Sequence, residues 1–273
     1  MRGLGYVRDV PDARDHLFAA HPASAASIIS FATNDRDDVN PKNQLQTSAC
    51  CGNGSTKILQ LSSMKAGIDC PELSAPFAYR MALNLDGVNT DEGTQVRQVV
   101  KGIMNMGACP ETDMPMTAKT DILAQPSFAA EHDAFDRRGL RGYHRIADGD
   151  LDGVRRALAA GFGLVAGWDV TEAFCSADGK DVIGAQIGPM AGGHCMGIVG
   201  YGSSSDWETR YSAFRPSKTY PLLGRIIGSW GGDVEVSGEP PTHYGYNGRI
   251  FVAPEFLEQA TDIWALDVRG DAS

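Results

Sequence analysis

The apolar residues change their spacing part-way along this chain, and that change limits the folds open to it. Before residue 162 they recur at helical intervals. Val96, Val99, Val100, Ile103 and Met104 fall at i, i+3, i+4, i+7 and i+8, an inward-facing stripe closed off by Gly107 and Pro110. Beyond it, Leu164, Ala166, Trp168 and Val170 alternate with Val165, Gly167 and Asp169, as the two faces of a strand do. Three further helices are predicted. One spans 48–64, capped by Thr47 and Ser48 and carrying Ile58, Leu59, Leu61 and Met64; another spans 74–84, with Phe77, Met81 and Leu83. The last, 151–160, starts at Asp150 and stops at Gly161. Strands are predicted near 195–201, 222–229, 248–252 and 263–268. Helices first and strands later give an α+β chain with a helical lobe and a sheet lobe.

At 273 residues the chain can bury one large core or two lobes around a cleft. We read residues 1–273 as a single domain. Residues 1–42 form an N-terminal arm, 43–120 a mainly helical lobe and 121–273 a mainly sheet lobe. The arm is rich in Asp, Arg and Pro and lies over the body, bracing the lobes rather than crossing the cleft. Its charged run Asn34-Asp35-Arg36-Asp37-Asp38 reads as a solvated turn.

The formal charge of −10 argues against nucleic-acid and acidic-lipid partners. No apolar run reaches bilayer length, and Met1-Arg2-Gly3-Leu4-Gly5 lacks the apolar core of a signal peptide, so a cytoplasmic or virion-associated location is expected. Six scattered cysteines read as buried thiols, in preference to a Cys70–Cys109 disulfide. With no CxxC pair, neither a metal nor a cofactor is expected. Asp148-Gly149-Asp150-Leu151-Asp152-Gly153 imitates a calcium loop, but Ala159 stands at its twelfth position and helix capping explains it better. His16, His21, His132, His144 and His243 show no convincing partner in the sequence.

Gly192-Gly193-His194-Cys195-Met196-Gly197-Ile198-Val199-Gly200-Tyr201 places a histidine at the start of an apolar strand. The two glycines leave room for a ligand backbone, and the alternation fixes the ring against a core. A histidine held so is placed to act as a base if a nucleophile faces it. Cys50, six residues after Gln44 and in the first turn of a predicted helix, is such a nucleophile. A helix N-terminus and an imidazolium each favour the thiolate, the attacking form. The Cys50 N–H and the Gln44 side-chain amide would hold an oxyanion. Each residue alone is more often a packing residue; the joint arrangement carries the reading. Cysteine and histidine belong to different lobes, so they can meet only at the interface.

These motifs resemble the papain-like cysteine peptidases in their bacterial, archaeal and viral forms. The similar segments are Tyr6 to Asp15, Asn43-Gln44 through Cys50, Leu73 to Tyr79, Asp91-Glu92-Gly93-Thr94, Gly107 to Glu111, Gly192-Gly193-His194, and Ile227-Gly228-Ser229-Trp230-Gly231 followed by Tyr244-Gly245-Tyr246. The resemblance implies a two-lobed fold, with a helical left lobe, an antiparallel β-barrel-like right lobe and an active-site cleft between them. It implies a cysteine peptidase acting on polypeptide, with Cys50 as nucleophile, His194 as base, Gln44 as oxyanion donor and Trp230 shielding the imidazole.

Three departures stand out. Gly228 occupies the place of the asparagine that orients the histidine, Cys51 that of an aromatic residue, and Thr47-Ser48-Ala49 that of glycine and small residues. Two other readings follow. One is a catalytically silent module with a binding or structural role, for instance in a larger assembly such as a virion. The other is a transglutaminase-like acyltransferase with an aspartate as third member.

Overall fold

A computed structural model describes residues 3–177, 181–211, 214–231 and 248–268. The frame is set by one helix with almost no exposed face. α1 (Cys50–Lys65) is buried from Cys50 through Ser63. Small residues make that burial geometrically feasible. A Cβ at Gly52 would press on Ala75 of α2 (Ala75–Asp86), and one at Gly54 would lie 3.2 Å from the Cys195 sulfur in the sheet. α1 is therefore the layer between α2 and the sheet, and its lack of a polar face is what a buried helix shows.

The helix begins at Cys50 rather than at residue 48. Thr47 and Ser48 do not cap it. Their hydroxyls donate instead to the carbonyls of Gln44 and Asp91. α2 has the capping that α1 lacks: Ser74 accepts from the Phe77 amide at 3.1 Å, and Gly87 turns left-handed at its end (φ 67°). The predicted stripe of α3 (Val96–Met106) is buried at Val96, Val99, Val100 and Ile103. α4 (Phe128–Asp136), absent from the sequence reading, packs Ala130 and Ala134 in one cluster with Phe77 and Met81, so the helical layer continues beyond residue 120.

Three two-residue strands, β1 (Tyr6–Val7), β2 (Ala32–Thr33) and β3 (Thr94–Gln95), precede the main sheet. The sheet comprises β4 (Gly142–Ile146), β5 (Gly163–Thr171), β6 (Met190–Gly202), β7 (Leu223–Ile227), β8 (Arg249–Val252) and β9 (Thr261–Asp267). Its order is β4-β9-β5-β6-β7-β8, antiparallel throughout, with β2 added against β6. Among the described residues it stays open at β4 and β8 rather than closing into a barrel.

The alternation in β5 sorts two cores. Leu164, Ala166 and Trp168 face a cluster with Val154 and Leu158 of α5 (Leu151–Ala159), while Val165 joins Ile58 and Leu61 of α1 on the opposite face. α5 is capped by Asp150, which accepts from the Gly153 amide at 2.8 Å, as the capping reading of that segment requires. All six cysteines are free thiols.

The charged run at 34–38 is not a solvated turn. Asn34 and Asp35 are buried, and Asp35 accepts from Arg225 of β7 at 2.7 Å and from Arg249 of β8 at 2.6 Å. Arg249 also donates to the Arg36 and Val39 carbonyls, and the Arg225 guanidinium lies 4.0 Å from the Tyr211 ring centroid. Burial pushes the Asp35 carboxyl up, but the two guanidiniums outweigh it and hold it below the ordinary carboxylate value. The partners lie 190 and 214 residues away in sequence, so a local reading of polarity could not find them.

Asp35→Ala leaves two buried guanidiniums without their carboxylate and should cost about 3–5 kcal/mol in chemical denaturation. Asp38→Ala, which removes a surface partner of Arg36, should leave the unfolding midpoint almost unmoved.

Candidate active site

Cys50 opens α1 and is fully buried, with its sulfur facing the backbone amide of Cys195. Burial first, and the neighbouring Cys51 thiol second, raise the Cys50 thiol well above its ordinary value, while the Cys195 amide opposes them. His194 precedes Cys195 in β6, pairs in register with Trp168 and is fully buried. The Trp230 indole stacks on its ring, with centroids 4.2 Å apart and planes 18° from parallel.

Trp230 is fixed from the helical side. Asn43 bridges to it, and the Gln44 amide donates to the Ser229 carbonyl at 2.7 Å. The Gln44 side chain is buried in the same strap: its Oε1 accepts from the Ser229 hydroxyl, and its Nε2 donates to the Thr47 carbonyl at 2.8 Å. Leu45 completes the turn in left-handed backbone (φ 57°), a conformation costing roughly 1–2 kcal/mol outside glycine. Asp91 braces the loop before Cys50, accepting from the Ser48 amide at 3.0 Å and the Tyr79 hydroxyl at 2.9 Å. Gly228 donates its amide to the Gly248 carbonyl, and among the described residues a Cβ there would meet that oxygen alone, at 3.9 Å.

The groove between these two sides is filled by the chain's own N-terminal arm. Gly3 accepts from the Trp230 indole N–H at 2.9 Å, and Gly5 donates to the Gly193 carbonyl at 3.0 Å. The Thr94 amide donates to the Gly5 carbonyl at 2.9 Å, after which β1 runs parallel to β3. Glycines make this contact feasible. A Cβ on Gly5 would overlap the Ser48 carbonyl, and one on Gly193 the Tyr6 carbonyl. Gly192 and Gly193 do leave room for a backbone beside His194, and here it is the arm's. Rather than only bracing the lobes, the arm lies between them.

Just beyond, two carboxylates hold the arm. Asp262 accepts from the Tyr6 hydroxyl, from the Asp9 amide at 2.6 Å and from Arg145 at 2.8 Å. Asp9 accepts from the Trp264 indole at 2.8 Å and the Arg97 amide at 3.2 Å. Burial and then the Asp262 charge push the Asp9 carboxyl up to about 6.

No protein-family model matches the sequence, and neither does any curated protein. Solved structures do. Xylellain, a cysteine protease from Xylella fastidiosa, superposes with a TM-score of 0.77 over 98% of this chain and 96% of its own, at 21% identity. A procathepsin B from Trypanosoma congolense gives 0.68 over 97% and 86%, at 11% identity. Bromelain from Ananas comosus, solved with the inhibitor E64, gives 0.63 over 89% and 100%, at 17% identity. The fold is papain-like.

Within that frame His194 stacks on Trp230, Gln44 is bonded to Ser229, and Gly192 and Gly193 meet the arm at Leu4 and Tyr6. His16, His21 and His144 gather elsewhere, their rings 4.6 to 6.4 Å apart, and His132 pairs with Asp136 at 3.5 Å. His243 and the Tyr244–Tyr246 turn lie outside the described residues. Among the described residues no group of three or more His, Cys, Asp or Glu is arranged to hold a metal ion. Tyr6, Asp9, Asp91, Ser229 and Asp262 were not singled out in the sequence. Their only signal was membership of segments quoted for other reasons, or, for Asp262, none.

The Asp9 carboxyl has a raised pKa only when docked, so the docked arm holds that proton more tightly than a released one. Its stabilisation is full below about 4 and is lost as pH rises through about 6, a swing of about 3 kcal/mol. Limited proteolysis of the arm should therefore be faster at pH 7.5 than at pH 5, and Asp9→Asn should flatten that dependence.

Proposed function

We propose that this chain is a cysteine peptidase whose N-terminal arm keeps it latent. One observation carries the reading. Between the strand that carries His194 and the start of β3, the arm runs as an extended polypeptide, hydrogen-bonded through its backbone to both sides, at Gly193 and at Thr94. A groove that pairs with a backbone in this way is built for polypeptide, whatever side chains the polypeptide carries.

In the proposed reaction the Cys50 thiolate attacks a substrate carbonyl carbon. His194 then delivers a proton to the leaving amine, and water releases the acyl group from sulfur. The Cys50 N–H and the Gln44 amide are the oxyanion donors, which requires Gln44 to give up its bond to the Thr47 carbonyl. Burial holds the Cys50 thiol protonated while the arm is docked; arm release is the step proposed to bring it solvent at the α1 N-terminus. Stacking by Trp230 keeps the His194 ring plane fixed where Gly228 has no side chain to contribute.

Gly228 and the engaged Gln44 amide favour a second reading, a silent papain-like module used for binding. The two separate in the full-length chain with Gly5→Val, which forces the arm out by overlap with Ser48. A peptidase should then label at Cys50 with an epoxide or iodoacetamide probe far ahead of the other five thiols, and should cleave peptides. Equal labelling of all six would overturn the assignment. Gly228→Asn, which puts a side chain where among the described residues a Cβ is met only by the Gly248 carbonyl, should raise turnover of that variant about tenfold or more. A silent module would cleave nothing in either form.

A further inference from the structure

Tyr6 is buried, and its ring lies flat against Gly167 of β5, where any Cβ would overlap the ring carbons. Around it, Val96, Val165 and Trp264 belong to the same apolar cluster. At the far end its hydroxyl meets the side chains of Thr261 and Asp262, where β9 begins. The slot is entered one residue along from Gly5, whose amide is bonded to the glycine preceding His194. It is thus deep because Gly167 has no side chain, apolar along its walls and polar at its floor. Arg145 already holds Asp262 from the body of the protein, so the floor takes a neutral hydroxyl donor without a second cation. A leucine would leave the floor unmet, and a phenylalanine would lose both hydroxyl contacts.

Building on the peptidase reading, we propose that this slot is the side-chain selector of the enzyme. Its substrates are polypeptides carrying a tyrosine next to the cleaved bond, and the arm blocks the groove because Tyr6 occupies the slot.

The test uses the full-length Gly5→Val chain and fluorogenic peptides with Tyr, Phe, Leu, Arg or Ala at each position flanking the bond. At one position Tyr should exceed Phe by about tenfold or more in kcat/KM. Adding Gly167→Ala should lower kcat/KM for the Tyr peptide at least about tenfold more than for the Ala peptide, because the new Cβ takes the space of the ring. Asp262→Asn, which tolerates the left-handed backbone at that position (φ 49°), should shrink the Tyr-over-Phe ratio instead. Rates within twofold across the five side chains at every position would overturn the proposal, as would equal slowing of all peptides by Gly167→Ala.

If no peptide is cleaved, the peptidase reading fails separately, and the slot is read by binding. A labelled hexapeptide of residues 3–8 should then bind the Gly5→Val chain at least tenfold more tightly than its Tyr-to-Phe and Tyr-to-Ala versions. Equal affinities would overturn the slot as well.

Discussion

The arrangement of this molecule depends on how closely α1 lies on the sheet. Ile58 projects into the space left by Gly163 of β5 and Gly197 of β6, where a Cβ on either glycine would overlap its side chain. That approach brings the start of α1 level with residues 194 and 195 of β6, so Cys50 faces the Cys195 amide. Packing that serves a 16-residue buried helix sets the register of the groove.

The arm is held by two buried carboxylate sites of different character. Asp35 is matched by two guanidiniums at 2.6 and 2.7 Å, so its charge is compensated and residues 32–39 are fastened to β6, β7 and β8. Asp9 and Asp262 repel one another, and the amide and indole donors on Asp9 do not cancel its burial, so its carboxyl rises to about 6. One end of the arm is therefore anchored by a paired charge, while the other is docked against an electrostatic cost near neutral pH. Release of residues 3–9 with retention of residues 32–39 is the motion this asymmetry favours, and it opens the groove without dismantling the sheet.

What the sequence disclosed follows from which interactions are local. The stripe of α3 and the alternation of β5 are set by near neighbours, and both were legible. So were Gly192 and Gly193, because paired glycines before an apolar strand leave little else to explain. The start of α1 was misplaced by two residues because the Thr47 and Ser48 hydroxyls bond to Gln44 and Asp91 rather than to the helix. Asp35 was misread because a carboxylate in a polar run looks solvated until distant arginines fold onto it. The course of the arm was hidden for a related reason: Gly3 and Gly5 look like loop residues, and only the positions of Ser48 and Gly193 reveal that bulk there is forbidden.

Gly228 changes what has to hold the imidazole. On the reading proposed above, a side chain at that position would hold the ring by a hydrogen bond, whereas Trp230 holds it through its face. Stacking restricts tilt but leaves rotation within the plane to other contacts. Trp230 is itself restrained by the Asn43 bridge on one side and by its indole bond to the Gly3 carbonyl on the other. The second restraint belongs to the arm. On the reading proposed above, arm release removes one of the groups that position the ring stacked on His194. On that reading, latency and the looseness of the base are coupled through the Trp230 indole. In a chain with an asparagine at position 228 the two would be separable.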